Sequence, residues 1–180
     1  METMDAILSR RSIRQYTGEK VTEAELKTIL AAAEASPSGM DEYENTVMTV
    51  IEKPALLEKI DQAAKAAAEK SGNADKNPLY QAPTFILVSG KKPDAESANL
   101  IFSNAAIVVE NMALAATDLG VGCCHIWGVV EIIDHDPSLL NDLDLPEGFI
   151  PCCGLIVGKT NDQYTKREIP LDRIKCTRIK

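Results

Sequence analysis

Hydrophobic and polar positions along this 180-residue chain change period several times, and each change predicts an element. The most water-averse stretch covers residues 103–128, SNAAIVVENMALAATDLGVGCCHIWG. Apolar residues at 105, 106, 108, 109, 112, 113 and 116 cover well over half of a helical circumference, the pattern of a helix packed on several sides. Gly120 stands where a left-handed C-cap ends such a helix, and residues 121–127 then read as a strand whose backbone is lightly covered. Taken alone, this stretch serves equally as a structural core or as the floor of a site.

The rest of the chain takes its order from that segment. Met4, Ile7 and Leu8 give an apolar edge to a short helix over Thr3–Ser9. Thr22-Glu23-Ala24-Glu25 is a capping box, and Leu26, Ile29, Leu30 and Ala33 carry the stripe of a second helix that Ser36-Pro37-Ser38-Gly39 stops. The branched residues of Thr46–Ile51 predict a strand, and Pro54 opens a helix bearing Leu56, Leu57, Ile60 and Ala64 that runs to about Lys70. A polar loop at 71–78, a buried strand at 82–89 and a second polar link at 90–97 lead back to the central helix. Beyond Trp127 follow residues 129–133, a polar turn, a short helix near 137–141 and a strand at 150–157, so about four strands lie inside a mostly helical shell. Residues 159–180 lack apolar periodicity but include Lys166, Arg167 and the Ile169-Pro170-Leu171 anchor. Such an arm gains most by lying along another subunit, and a frayed terminus is the competing reading.

Composition narrows the function classes. The length suits one domain with a real core, and 45% hydrophobic residues is ordinary for a globular protein. A net charge of -8 repels phosphodiester backbones and argues against nucleic acid as the main partner, so an anion site has to be local. The chain starts Met1-Glu2-Thr3-Met4-Asp5 without a signal-peptide pattern, and the expectation is that no apolar run reaches the ~20 residues of a membrane span. A cytoplasmic protein with no membrane partner is therefore expected. Five cysteines, at 123, 124, 152, 153 and 176, form no spaced framework and are expected to be reduced. Each vicinal pair sits in a strand-like run, which predicts one thiol of each in the core. A Cys123-Cys124-His125 set with Cys152 or Cys153 as a soft-metal site matches no zinc spacing, and no metal is expected.

Cations are concentrated at two places. Arg10, Arg11, Ser12 and Arg14 put three guanidiniums and a hydroxyl within five residues, able to grip a phosphate and the carbonyl oxygens of a ring. The plainer reading is a solvated helix C-terminus, where arginine is also favourable. Pro37, Ser38, Gly39, Met40 and Asp41 form a candidate ligand lip or simply reverse the chain.

Taken together the segments resemble the small FMN-dependent nitroreductase family. The resemblance is carried by RRSIRQY at 10–16, SPSGM at 36–40, APTFILV at 82–88, ENMALAATDLGVG at 110–122, HIWG at 125–128, GK at 158–159 and KREIPL at 166–171. It implies an α+β nitroreductase-like fold with a mostly antiparallel sheet of about four to five strands flanked by helices. Residues 1–158 would form the FMN-binding domain of an intertwined homodimer, and 159–180 the exchanged C-terminal arm packed on the partner subunit. It further implies that Arg10, Arg11, Ser12 and Arg14 hold the phosphate and the pyrimidine side of FMN, with Lys166 and Arg167 completing the clamp. Pro37 to Asp41 would come from the partner chain, and His125, Ile126, Trp127 and Gly128 would lie along the ring. The implied activity is transfer of reducing equivalents from NAD(P)H through FMN to a small electron-poor acceptor, a nitroaromatic or quinone, by ping-pong exchange. His125 and Trp127 serve equally well as packing residues.

One stretch departs from the family. Where relatives commonly continue with Asn, Arg, Gln, Pro and Trp, this chain has Asp41, Glu42, Tyr43, Glu44 and Asn45. An ionised Asp41 accepts a hydrogen bond but donates none, and its charge disfavours an anionic reduced flavin, which predicts a lowered reduction potential. Two alternatives follow: a flavin-binding relative that stores or senses FMN or uses a protein electron donor, and a thiol or metal protein on the same scaffold.

Overall fold

In the computed structural model, which describes residues 1–70, 72, 77–92, 98–170 and 172–180, a four-stranded antiparallel sheet lies between two helical layers. Its strands are β1 (Thr46–Ile51), β2 (Thr84–Lys91), β3 (Gly122–Ile126) and β4 (Phe149–Gly158), in the order β1-β2-β4-β3. The α+β expectation stands, with four strands. Helices α2 (Glu23–Glu34) and α4 (Ala98–Asp118) cover one face, and α3 (Pro54–Lys70), α5 (Gly128–Asp134) and α6 (Pro137–Leu143) cover the other. The short α1 (Thr3–Ser9) packs on α4. Parts of the predicted links at 71–78 and 90–97, and Leu171 of the predicted anchor, lie outside the described residues.

Local chemistry explains the boundaries. The Thr22 hydroxyl accepts from Glu25 N at 3.3 Å while the Glu25 carboxylate accepts from Thr22 N at 2.8 Å, so two orphan donors of the α2 terminus are satisfied reciprocally. Gly120 closes α4 with φ of 70°, a conformation open to glycine at no steric cost. Asp136 caps α6 from its N-terminal side, accepting from Ser138 N and Leu139 N.

Two sequence expectations need correction. Helix α4 begins at residue 98, ahead of the predicted 103, because Leu100, Ile101 and Phe102 continue its apolar surface. With that start, Asn99–Asp118 is long and apolar enough to cross a membrane by length and composition alone. Here it is a core helix: Ala105, Val109, Met112, Ala113 and Ala116 are buried between α2 and the sheet. The second correction concerns the thiols, since Cys123, Cys124, Cys152 and Cys153 are all buried rather than one of each pair. Both sheet faces are covered, so alternation sends Cys123 to the α4 side and Cys124 to the α5 side without exposing either. A bulge between Val88 and Ser89 opposite Cys152 then turns Cys152 and Cys153 to the same, α4-facing side.

Residues 8–19 and 159–167 run against each other at the open edge of β3. Ile13 N donates to Cys123 O at 2.8 Å, Thr17 N to Lys159 O at 2.9 Å, and Lys159 N to Glu19 O at 3.0 Å. Lys159 also reaches both oxygens of Glu25, at 2.6 and 2.7 Å, and ties this edge to the α2 cap. The two basic clusters of the sequence thereby become neighbours.

Candidate cofactor site

Ile13, 1% exposed, pins the arginine segment to β3, and its neighbours Arg10, Arg11, Ser12 and Arg14 stay at or near the surface. Arg167 closes on the same place from the C-terminal side. Its backbone N and its Nε both donate to Leu8 O, at 3.2 and 3.0 Å, which satisfies a carbonyl at the end of α1. Lys166 Nζ lies 2.7 Å from Asp5, and Arg11 Nη2 donates to Gln163 O at 3.2 Å. The structure thus joins Arg10 to Ser12 with Lys166 and Arg167 around the end of α1, within one protomer. The helix-cap role considered for the arginines at 10–14 is filled here by Arg167, for which it was not expected.

Arg14 faces away from that cluster and into a cavity of about 360 Å³. The cavity is walled by Tyr80, Cys124, His125 to Gly128 and the α3 alanines Ala64 and Ala67. The Arg14 guanidinium stands 5.6 Å from the centre of the Tyr80 ring, and a hydrogen bond to Tyr80 strengthens its hold on its proton. Tyr80 and Gln81 both have positive φ, 51° and 58°, a costly backbone for residues with a Cβ, and this turn is what presents the ring. Trp127 is 69% exposed at the rim, and α5 starts at Gly128, so residues 125–128 form an open ledge between strand and helix.

Pro37 to Asp41 lie elsewhere. None of them lines the Arg14 cavity, and Pro37 and Ser38 border instead a cleft of about 70 Å³ between α2, β1 and α4. Their turn is held by α4: Gly39 N donates to Asn104 Oδ1 at 3.1 Å, Asn104 Nδ2 to Ser38 Oγ at 3.3 Å, and Asn111 Nδ2 to Ser36 Oγ at 2.9 Å. A Cβ on Gly39 would run into the Leu100 side chain. Met40 and Asp41 both have positive φ, and Met40 and Tyr43 are exposed at the tip.

Sequence reasoning missed four contributors. Tyr80 carries no motif. Asn104 and Asn111 are amides within the apolar middle of α4, a signal that something polar crosses it. Glu110 is the fourth: its Oε1 lies 3.1 Å from Arg10 Nε and its Oε2 3.2 Å from His125 Nε2. Desolvation pushes the Glu110 carboxyl up, yet its hydrogen bond to His125 and the charge of Arg10 outweigh this and hold it below the ordinary carboxylate range.

The donor set suits a flavin mononucleotide. Arg11 Nε is buried without a hydrogen-bond partner, one of two such side-chain atoms among the described residues, and it sits in the basic cluster where a phosphate oxygen would satisfy it. A cation at the cavity wall and an open apolar ledge beside it match the polar and flat parts of a flavin ring. Among the described residues no three of His, Cys, Asp and Glu converge to share a metal ion.

Comparison with known proteins agrees with this geometry. The family model described as "Nitroreductase family" matches residues 7–159. The FMN reductase [NAD(P)H] of Bacillus subtilis is 27% identical over 184 residues, covering 92% of this chain and 69% of that protein. A crystal structure of a nitroreductase with bound FMN from Bacteroides fragilis superposes with a TM-score of 0.81 at 28% identity, covering 99% of this chain and 100% of that one. A second FMN-bound nitroreductase, from Desulfitobacterium hafniense, shares the fold with a TM-score of 0.83 at 21% identity, over 99% of both chains. The match spans the arginine segment, the Tyr80 turn, Glu110 and the 125–128 ledge, and this chain belongs to the nitroreductase family.

Proposed function

We propose that this protein is an FMN-dependent oxidoreductase that takes reducing equivalents from NAD(P)H and passes them to a small electron-poor acceptor, such as a nitroaromatic or quinone, by ping-pong exchange. The observation that carries the reading is the joining of Arg10 to Ser12, Lys166 and Arg167 at one end and Arg14 with residues 125–128 at the other. Bound FMN would supply the hydride chemistry. The protein binds and orients. The basic cluster grips the phosphate, Arg14 offers a charged donor to the pyrimidine oxygens, and the backbone at Trp127 and Gly128 lies along the ring. The open cavity beside Trp127 leaves room for donor and acceptor in turn.

The working form we propose is a homodimer. Phe102 and Ile107 are 43% and 40% exposed on α4, and Met4 and Ile7 of the adjoining α1 are also exposed. An apolar surface of this kind is ordinarily covered. Such a partner would bring its own residues 37–41 to the flavin. Of the arm expected at 159–180, residues 159–167 are held on their own protomer, which corrects the expectation for that part, and the remainder at 168–180, whose described residues are mostly exposed, would lie across the partner. The free thiols suit a reducing, cytoplasmic setting.

The test is the visible spectrum of the purified protein after removal of free FMN, followed by anaerobic NADH and then NADPH. A stoichiometric flavin band that bleaches is expected. A band that persists would favour storage, sensing or a protein electron donor, and point to the acidic lip. A colourless protein that cannot be reloaded with FMN would refute the assignment.

A further inference from the structure

Glu110 is the single charged residue of α4 ahead of its terminal Asp118. A carboxylate in the middle of an apolar helix carries a desolvation cost unless it is partnered, and this one is partnered twice. Oε1 takes Arg10 Nε and Oε2 takes His125 Nε2. These partners belong to different ends of the site, the basic cluster and the cavity wall. A guanidinium held through Nε keeps its two terminal nitrogens free, and Arg10 makes no other ion pair among the described residues.

We propose that Glu110 is a positioning residue of the cofactor site. Through Oε1 it presents the terminal nitrogens of Arg10 to the ligand's phosphate. The inference rests on the FMN reading above. It assigns Glu110 a specific effect: the phosphorylated ligand should depend on it and the same ring without phosphate should not. Because the link runs through one guanidinium, removing Arg10 should remove the dependence as well.

The experiment compares dissociation constants for FMN and riboflavin on flavin-free protein carrying Glu110→Ala or Glu110→Gln, each alone and with Arg10→Ala. Alanine is the better helix former, so α4 is not weakened by the change. Losing one charge-assisted contact should weaken FMN about ten-fold, with riboflavin changed by less than about two-fold. Glu110→Gln, whose amide oxygen still accepts from Arg10, should recover most of the loss, and in the Arg10→Ala background Glu110→Ala should have no further effect. FMN bound as tightly or more tightly by Glu110→Ala would overturn the proposal, and so would equal weakening of both flavins. A flavin-free readout separates this from failure of the site reading: the Arg10 Nε–H resonance should be protected in the wild-type protein and lost in Glu110→Ala. A wild-type protein that binds FMN no better than riboflavin refutes the phosphate site itself. An Arg10 resonance that survives Glu110→Ala refutes the role of Glu110.

Discussion

Replacing Gly154 by alanine probes how tightly the sheet holds the ledge. Gly154 sits in β4 between Leu87 of β2 and Ile126 of β3, the residue from which the 125–128 turn departs. A Cβ built there would lie 2.8 Å from Cζ of Phe85, closer still to its Cε2, and 3.4 Å from Cγ2 of Val130 in α5. Phe85 is 0% exposed, so its ring has no solvent to retreat into. Carbon atoms rest at about 3.5–4.0 Å, and the ring must therefore shift by roughly 1 Å against Ile156, Val130 and Ile126. Overpacking of this kind costs about 1–3 kcal/mol, while loss of glycine's freedom in the unfolded chain returns roughly 0.5–1 kcal/mol. With the ring fully buried the overpacking cost falls at about 2–3 kcal/mol, so the net loss is about 1–2.5 kcal/mol, a fall in Tm of roughly 2–10 °C for a chain of this size. Calorimetry at fixed protein concentration and fixed flavin occupancy measures it. Phe85→Leu, which removes the obstructing ring edge, should make the double variant more stable than the sum of the single losses by at least ~0.5 kcal/mol. A Gly154→Ala protein as stable as the wild type, or strictly additive losses, would refute the argument.

Four further outcomes are expected. Hydrogen bonding to Lys159 and Thr22 lowers the pKa of Glu25, so its contribution is present above the unfolded carboxylate pKa and fades as pH falls through the folded one. Urea unfolding should thus show wild type more stable than Glu25→Gln at pH 7 with the gap closing below about pH 4, and a constant gap would show that the capping geometry alone matters. Burial pushes the Cys123 and Cys152 thiols up to about 11, and Cys176 is the exposed thiol, so a disulfide reagent at pH 8 should titrate one cysteine quickly and the remaining four after denaturation. If the protein is the dimer proposed above, Ile107→Asp should yield monomers in sedimentation and lower flavin content together, and an unchanged dimer would move the interface away from α4. Asp41→Asn, tolerated at a left-handed position, should raise the flavin reduction potential; a potential that stays or falls would remove Asp41 from the ring's surroundings.

The elements were legible where a single physical rule dominates. The Thr22-Glu25 box, the Gly120 stop and the broad apolar surface of residues 105–116 each needed only local information, and each appears in the structure. The thiols were misjudged because cover on the second face of a strand is a tertiary property: alternation was right for Cys123 and Cys124, but α5 and α6 hid the other side. The bulge at Cys152 left no local mark. Within the site, like charges were readable and their partners were not. Arg10, Arg14, Lys166 and Arg167 stand out in an acidic chain, whereas Glu110 and Tyr80 gain meaning only when α4 and the turn before β2 are brought against residues 10–14.

Those partners explain how an acidic protein keeps a basic site. Arg10 lies 3.1 Å from Glu110, Arg11 3.5 Å from Asp162 and Lys166 2.7 Å from Asp5, so three cations of the cluster each stand beside a carboxylate of the same chain. Arg10 is held through Nε and keeps its terminal nitrogens for the ligand, but the pairs of Arg11 and Lys166 are largely exposed, and exposed ion pairs contribute only about 0–1 kcal/mol, so these two are weak competitors. A phosphate dianion offering several charge-assisted bonds at ~1.5–3 kcal/mol each can replace them, while a simple monoanion that reaches one cation at a time cannot. The pairs also keep long side chains near their working positions in the absence of ligand, which reduces the ordering cost of binding. The result is a site with little net positive field, unattractive to polyanions, that responds to a ligand carrying its phosphate and its ring at the right separation. On this argument, raising the salt concentration should weaken FMN binding less than it would for a bare basic cluster, because ligand binding exchanges one set of ion pairs for another.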